Sequence, residues 1–148
     1  MLVHRKAGLL LLACGAGVAL AAASSRRQVE EGYVVERERE IAVQQPGPHR
    51  GGGTTTAYPF FAKVNDLEMV FRKRVLHAGS AIGYHEQHED EIYYVIAGTG
   101  VMKMNGDSFR VGPGDAVLTR PGSSHGLRPE GERDLTILIM YRQAARGR

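Results

Sequence analysis

Cysteine is almost missing from this chain of 148 residues: there is one, Cys14. It lies inside an N-terminal apolar run, so a domain beginning after that run contains none. That excludes a disulfide framework and a cysteine nucleophile, and it leaves histidine, carboxylate and amide groups as the ligands for any metal. A surplus of one charge sign is missing too. Lys and Arg number 19 against 16 Asp and Glu, a formal net charge of +3, which is too small to argue for a nucleic-acid partner. Part of that excess sits at the extreme N-terminus, in Arg5 and Lys6. No stretch carries a 3.6-residue apolar period of helical length.

Glycine, by contrast, is plentiful at 19 residues and predicts many turns. From residue 54 onward, short β-prone runs follow one another with turn signals between them. Leu67, Met69, Phe71 and Val75 alternate with Glu68, Arg72 and Arg74, the pattern of a half-buried strand. Residues 81–85 form a short strand, and residues 91–97 a second. The Ile92–Ile96 run in the latter suits burial on both faces. Residues 101–104 and 108–111 flank Asn105-Gly106-Asp107, a hairpin signal. Residues 116–119, 125–128 and 135–141 complete the series. Short, evenly spaced strands with Gly/Pro turns predict an all-β fold, a small antiparallel barrel or sandwich.

The N-terminal third reads differently. A basic start at His4, Arg5 and Lys6 precedes the uncharged apolar residues 7–23, and Ala19, Ala21 and Ala23 suit a small-residue cleavage site. Residues 1–23 are therefore expected to be a signal peptide, making the protein exported, periplasmic or extracellular. The alternative is an uncleaved anchor formed by residues 7–23, the only contact with a membrane that the sequence suggests. Leu11-Leu12-Ala13-Cys14 loosely resembles a lipobox, but the apolar run continues past Cys14. Residues 24–53 form a charged, Gly-rich arm: nine of the fifteen residues from Arg26 to Glu40 are charged, and Pro46, Pro48 and Gly51 to Gly53 break regular structure. The arm reads as a flexible solvated tether, or as a strap over the barrel or onto the partner of a homodimer. The barrel is expected at 54–142 and a short tail at 143–148.

The chemistry gathers in two stretches. Two histidines and four carboxylates fall within seven residues, His85-Glu86-Gln87-His88-Glu89-Asp90-Glu91. His125 follows Arg120-Pro121-Gly122 at the end of a later strand. Imidazoles with one carboxylate suit a divalent transition metal, and a hairpin brings His85 and Glu91 to one interior face. A polar surface turn would use the same residue types.

Together the two stretches resemble the cupin superfamily, in the form of small single-domain bacterial cupins, over about residues 54–142. Gly79, His85, Glu91 and Gly98 fall at the spacings of its first motif, and Gly114, Gly122 and His125 at those of its second. Gln87 stands where the second histidine of the first motif belongs, and His88 comes one place late. Arg120 replaces the proline of the second motif, with Pro121 one position on, and Pro129 replaces its final asparagine. The resemblance implies a double-stranded β-helix, or jelly roll, holding one divalent metal (Mn, Fe, Zn or Ni). His85, Glu91 and His125 are the implied ligands, with Gln87 or His88 as a further one. Glu91 is also the candidate catalytic group, able to act on a proton. The implied function is a metal-dependent enzyme on a small oxygenated metabolite, of dioxygenase, decarboxylase or sugar-isomerase type. The alternative is a barrel that binds a sugar or organic acid without turnover. Tyr93 and Met102 are candidates for the pocket wall, and Arg120 for holding a substrate carboxylate.

Overall fold

The structure, a computed structural model, describes residues 32–143. The expected signal segment and nearly all of the C-terminal tail lie outside the described residues. The chain divides into two units, Met1–Val35 and Glu36–Arg148. The described residues of the first, 32–35, form no helix or strand.

In the second unit, alternation along each strand decides which side chains enter the barrel. The elements run α1 (Glu38–Ile41), β1 (Val43–Pro46), a 3-10 turn (Pro48–Arg50), β2 (Thr54–Phe60), β3 (Met69–Leu76), β4 (Ile82–Glu86) and β5 (Glu91–Ala97). They continue with β6 (Gly100–Met104), β7 (Asp107–Val111), β8 (Ala116–Thr119), β9 (Ser124–Pro129) and β10 (Leu135–Arg142). Six strands form one sheet in the order β1-β2-β3-β10-β5-β8, and four form another in the order β4-β9-β6-β7. Every pairing is antiparallel. This is the expected all-β jelly roll. Leu76, Ile82, Val95, Met102, Val111, Leu127, Leu135, Ile137 and Ile139 fill its core.

The β6–β7 hairpin shows how local chemistry sets register. Met104 pairs with Asp107, so the loop is Asn105-Gly106 alone. Both residues have positive φ, 49° and 97°, the two-residue turn whose twist matches the strands it joins.

Two strands depart from expectation. On β5, Glu91, Tyr93 and Val95 are buried, while Ile92, Tyr94 and Ile96 are exposed. The run is buried on one face, not two, because among the described residues no layer covers the second face of its sheet. On β3 the alternation is inverted. Arg74 and Leu76 are buried while Met69 is 60% exposed. The register explains this: Leu76 pairs with Leu135 and Thr55, and Arg74 with Ile137 and Ala57, all of them buried. Cross-strand partners share a face, so the arginine row of β3 turns inward and its apolar row outward.

The stretch read as an arm supplies part of the barrel from Glu36 onward. β1 pairs with β2 along Val43–Pro46. Glu36 accepts a hydrogen bond from the Phe61 amide at 2.6 Å, and Glu38 pairs with Lys73 at 2.5 Å. The 3-10 turn lies against β4 with no room between the backbones. A Cβ on Gly51 would stand 1.9 Å from the Ala81 carbonyl oxygen, and one on Gly83 would stand 2.0 Å from the His49 carbonyl oxygen. Only glycine permits that approach.

Candidate metal and ligand site

β4 and β9 pair so that His85 faces His125 across the ladder, with ring centroids 4.4 Å apart. From the other sheet, β5 turns Glu91 and Tyr93 to the same interior. The Tyr93 hydroxyl lies 2.9 Å from His125 Nε2, and Glu91 Oε2 lies 3.5 Å from that same nitrogen. His85 Nδ1 donates to the Gly83 carbonyl at 2.8 Å. A carbonyl can only accept, so Nδ1 carries the proton and Nε2 of the neutral ring is left as a free lone pair.

Burial sets the protonation states. It pushes the Glu91 carboxyl above its ordinary value, against the opposing pull of the Tyr93 hydrogen bond and the charge of His85. Burial, with the neighbouring Glu91 carboxylate, raises the Tyr93 hydroxyl well above its usual range, so it stays protonated. His125 is pushed down to about 4, first by burial and then by the charges of His85 and His49. The site thus presents the neutral imidazole of His125 beside a carboxyl that keeps its proton to higher pH than an exposed one would.

The remaining expected residues divide by location. Gln87 is 6% exposed. Its backbone N–H donates to the Ser123 carbonyl and its backbone carbonyl accepts from the Gly122 N–H, at 2.8 and 2.9 Å, tying it to the loop that leads to His125. His88 is exposed and lines a surface pocket of about 550 Å³ with Glu89, Asp90, Arg120, Pro121 and Arg142. The step from Gln87 to His88, just past the end of β4, takes the side chain from a buried to an exposed position. Arg120 is also outside the cluster, paired with Asp90 at 2.7 Å and 69% exposed. Met102 is wholly buried in the core; its neighbour on the strand face, Met104, pairs with His125.

Two residues join the site that the sequence did not single out. His49, from the 3-10 turn, stacks on His85 with centroids 3.4 Å apart and planes within 3°. Arg74, inverted inward on β3, is 4% exposed. His49 lies outside both motifs and carries no spacing signal. Arg74 was concealed because an apolar alternation in the same strand pointed the other way.

The donor set of His85, Glu91 and His125 suits a divalent transition metal in kind. The Nδ1 of His125 is buried without a partner, an unmet valence of the sort that a ligand or ion satisfies. The 3.5 Å between His125 Nε2 and Glu91 Oε2 is within reach of two donors sharing one ion at about 2.1 Å each. Among the described residues, no three His, Cys, Asp or Glu side chains already converge on one point. His125 Nε2 is engaged by Tyr93, and His85 is covered by His49.

The description of a cupin domain matches residues 73–141. An oxalate-binding protein from Thermotoga maritima is 32% identical over 111 residues, covering 72% of this chain and 92% of that protein. The chain belongs to the cupin family. Among solved structures, a protein described as a predicted oxalate decarboxylase from Thermotoga maritima superposes with a TM-score of 0.66 at 28% identity. That match covers 75% of this cupin and all of the other chain. A Cupin 2 conserved barrel domain protein from Salinispora arenicola gives a TM-score of 0.60 at 18% identity, over 76% and 89% of the two chains, a likeness of fold alone. Cupins commonly bind a divalent metal, and this one places the motif positions 85, 91 and 125 as neighbours inside its barrel.

Proposed function

We propose that this cupin holds one divalent transition metal, Mn, Fe, Zn or Ni, through His85, Glu91 and His125, with the Gln87 amide as a further donor, and acts there on a small oxygenated organic acid. The observation that carries the reading is the meeting of Glu91, Tyr93 and His125 around one imidazole nitrogen, next to His85 with its Nε2 free. The 32% identical relative is named for oxalate binding, which supports an organic acid over a sugar.

A bound ion would supply Lewis acidity and charge to hold the acid's oxygens. The chain's own residues do the rest. The Gly83 carbonyl fixes the His85 ring with Nε2 toward the site. Glu91, its carboxyl pushed up by burial, holds or releases a proton at Oε2 beside the ligand. The Tyr93 hydroxyl keeps its proton and orients both Glu91 and His125. Decarboxylation and isomerisation both use such a proton.

A second reading is retention of the acid without turnover. The buried Gln87 favours it, because a neutral amide is a weaker donor than the imidazole that the motif would place there. Elemental analysis of protein purified without chelator, followed by assays of oxalate consumption, tests both. Less than about a tenth of an equivalent of metal, with no gain on reconstitution, overturns metal dependence. Bound metal and bound oxalate without turnover leave the second reading standing.

Export through residues 1–23 belongs to the same proposal, and N-terminal sequencing of the mature protein from the cell envelope checks it. So does pairing of two copies. The outer face of the six-stranded sheet carries exposed Ile92, Tyr94, Ile96 and Leu118, an apolar surface suited to a second copy. Sizing chromatography that returns a monomer overturns the pairing.

A further inference from the structure

The least explained group in the barrel is a cation. Arg74 is 4% exposed, and an arginine does not shed its proton in a protein. Its Nη1 donates to Thr55 Oγ1 at 2.7 Å, and Thr55 in turn donates to the Gln45 carbonyl at 3.1 Å. Its Nε is buried with no partner. Among the described residues no carboxylate forms an ion pair with it. Its cross-strand neighbours are Ala57 and Ile137, neither of which can answer a charge.

A buried, unpaired guanidinium is destabilising, and an apolar side chain of similar volume in its place would remove that cost. Nothing in the packing of β2, β3 and β10 requires a charge at this position. The next inward residue on the same strand, Arg72, adds a second cation, with its guanidinium 5.6 Å from the Tyr141 ring. β3 therefore turns two arginines to the face of the sheet on which β5 presents Glu91 and Tyr93. Arg74 and Tyr93 are both buried on the inner face of one sheet, on either side of β10: Arg74 pairs with Ile137 and Arg72 with Ile139, and these pair in turn with Val95 and Tyr93. Tyr93 touches His125, and His49 touches His85. Arg74 and the imidazoles thus line the same barrel interior.

We propose that Arg74 is the receptor for the far carboxylate of a compact dianionic acid whose near carboxylate sits at His85 and His125, so that it selects dicarboxylates over monocarboxylates and neutral sugars. This rests on the organic-acid reading above and adds the residue that sets charge specificity. Guanidinium and carboxylate match as planar forks, with two parallel N–H···O bonds. The Nε–H of Arg74, buried without a partner, is the donor that such a carboxylate would engage first. The anion cancels the buried charge, so the ligand repairs a defect that the empty fold carries.

Calorimetric titration of the full-length, metal-reconstituted protein with oxalate, acetate and glucose tests this, alongside Arg74→Met. Wild type is expected to bind oxalate at least about tenfold tighter than acetate, and the variant to lose about tenfold or more in oxalate affinity with acetate unchanged. Without oxalate, R74M is expected to melt no lower than wild type, which a purely structural arginine would not allow. Oxalate affinity within about threefold of wild type in R74M overturns the role of Arg74. No saturable binding of either acid by wild type overturns the organic-acid reading and this inference with it. If R74M does not fold, Arg74→Lys decides. It keeps the charge and loses the fork, and oxalate weakened several-fold with acetate unchanged supports the role, while unchanged oxalate affinity overturns it.

Discussion

His49 lies flat on His85, with the ring centroids 3.4 Å apart and the planes within 3°. A residue from the N-terminal turn therefore covers one of the two histidines expected to hold a metal. The contact follows from backbone constraints at Gly51 and Gly83, which let the turn rest directly on β4. The stack links a segment outside the family match to the centre of the site.

Removing the covering ring should loosen the turn without dismantling the barrel. His49→Ala is expected to cost about 0.5–1 kcal/mol, the worth of an aromatic pair at a partly exposed position, and to lower the melting temperature by a few degrees. Metal content should be unchanged, because His85 Nδ1 remains fixed by Gly83. Thermal denaturation and elemental analysis of the same sample check both.

Adding a methyl group beneath the turn should be worse than removing its ring. A Cβ at Gly83 would stand 2.0 Å from the His49 carbonyl oxygen, and neither backbone can move aside cheaply. Gly83→Ala is expected to destabilise by about 2 kcal/mol and to release the turn. Limited proteolysis at Arg50, slow in wild type and fast in the variant, is the readout.

Gln87 and His88 should behave oppositely. Gln87 is buried next to the site and His88 is exposed on the outer surface. Gln87→Ala is expected to weaken metal binding by about 10–100-fold, and His88→Ala to leave it unchanged. Competition against a chelator of known affinity measures both, and the reverse ranking would move the site to the outer surface.

The acid limb of the stability curve should depend on Asp134. Its carboxylate accepts from His77 Nδ1 at 2.8 Å and from the Ala78 amide at 3.1 Å. The His77 hydrogen bond is the main cause of its lowered pKa. A depressed carboxyl pKa stabilises the fold at any pH above the unfolded value, near 4, and that contribution disappears as the pH falls through the folded value. The group is half exposed, so the contribution is less than about 1 kcal/mol. Asp134→Asn should lower stability at pH 7 and leave it unchanged near pH 2, as followed by urea denaturation at each pH.

Much of the fold was legible because turn chemistry and alternation agree along the chain. Asn105-Gly106 marks a two-residue hairpin, and β5 and β8 begin and end where the β-prone runs do. His85, Glu91 and His125 were legible through spacing, but the expected hairpin does not join the first two: His85 pairs with His125 within one sheet, and Glu91 enters from the other. Orientation was harder to read. On β3 the sequence carries an apolar row and a basic row, and the usual rule sends the apolar row inward. Pairing with β2 and β10 sends Arg72 and Arg74 inward, a choice made by partners 13 and 17 positions earlier and 63 and 67 positions later. His49 was illegible for a related reason: only the contact of two glycine-bearing backbones brings it to His85. Arg120 had the right chemistry and strand-end position, but Asp90 holds it on the exterior.

The close seating of the 3-10 turn on β4 has a practical consequence for how this protein is dissected. The stretch that family resemblance delimits begins at residue 73; a cut placed there would remove β2 and split β3, whereas a cut just ahead of β2 would discard the roof while keeping the walls. The excised piece would bare the upper imidazole to solvent and deprive Thr55 of its strand-edge acceptor. Its metal and anion affinities would then describe an unroofed vessel, and a weak result from such a fragment would say nothing about the chain that begins before Glu36.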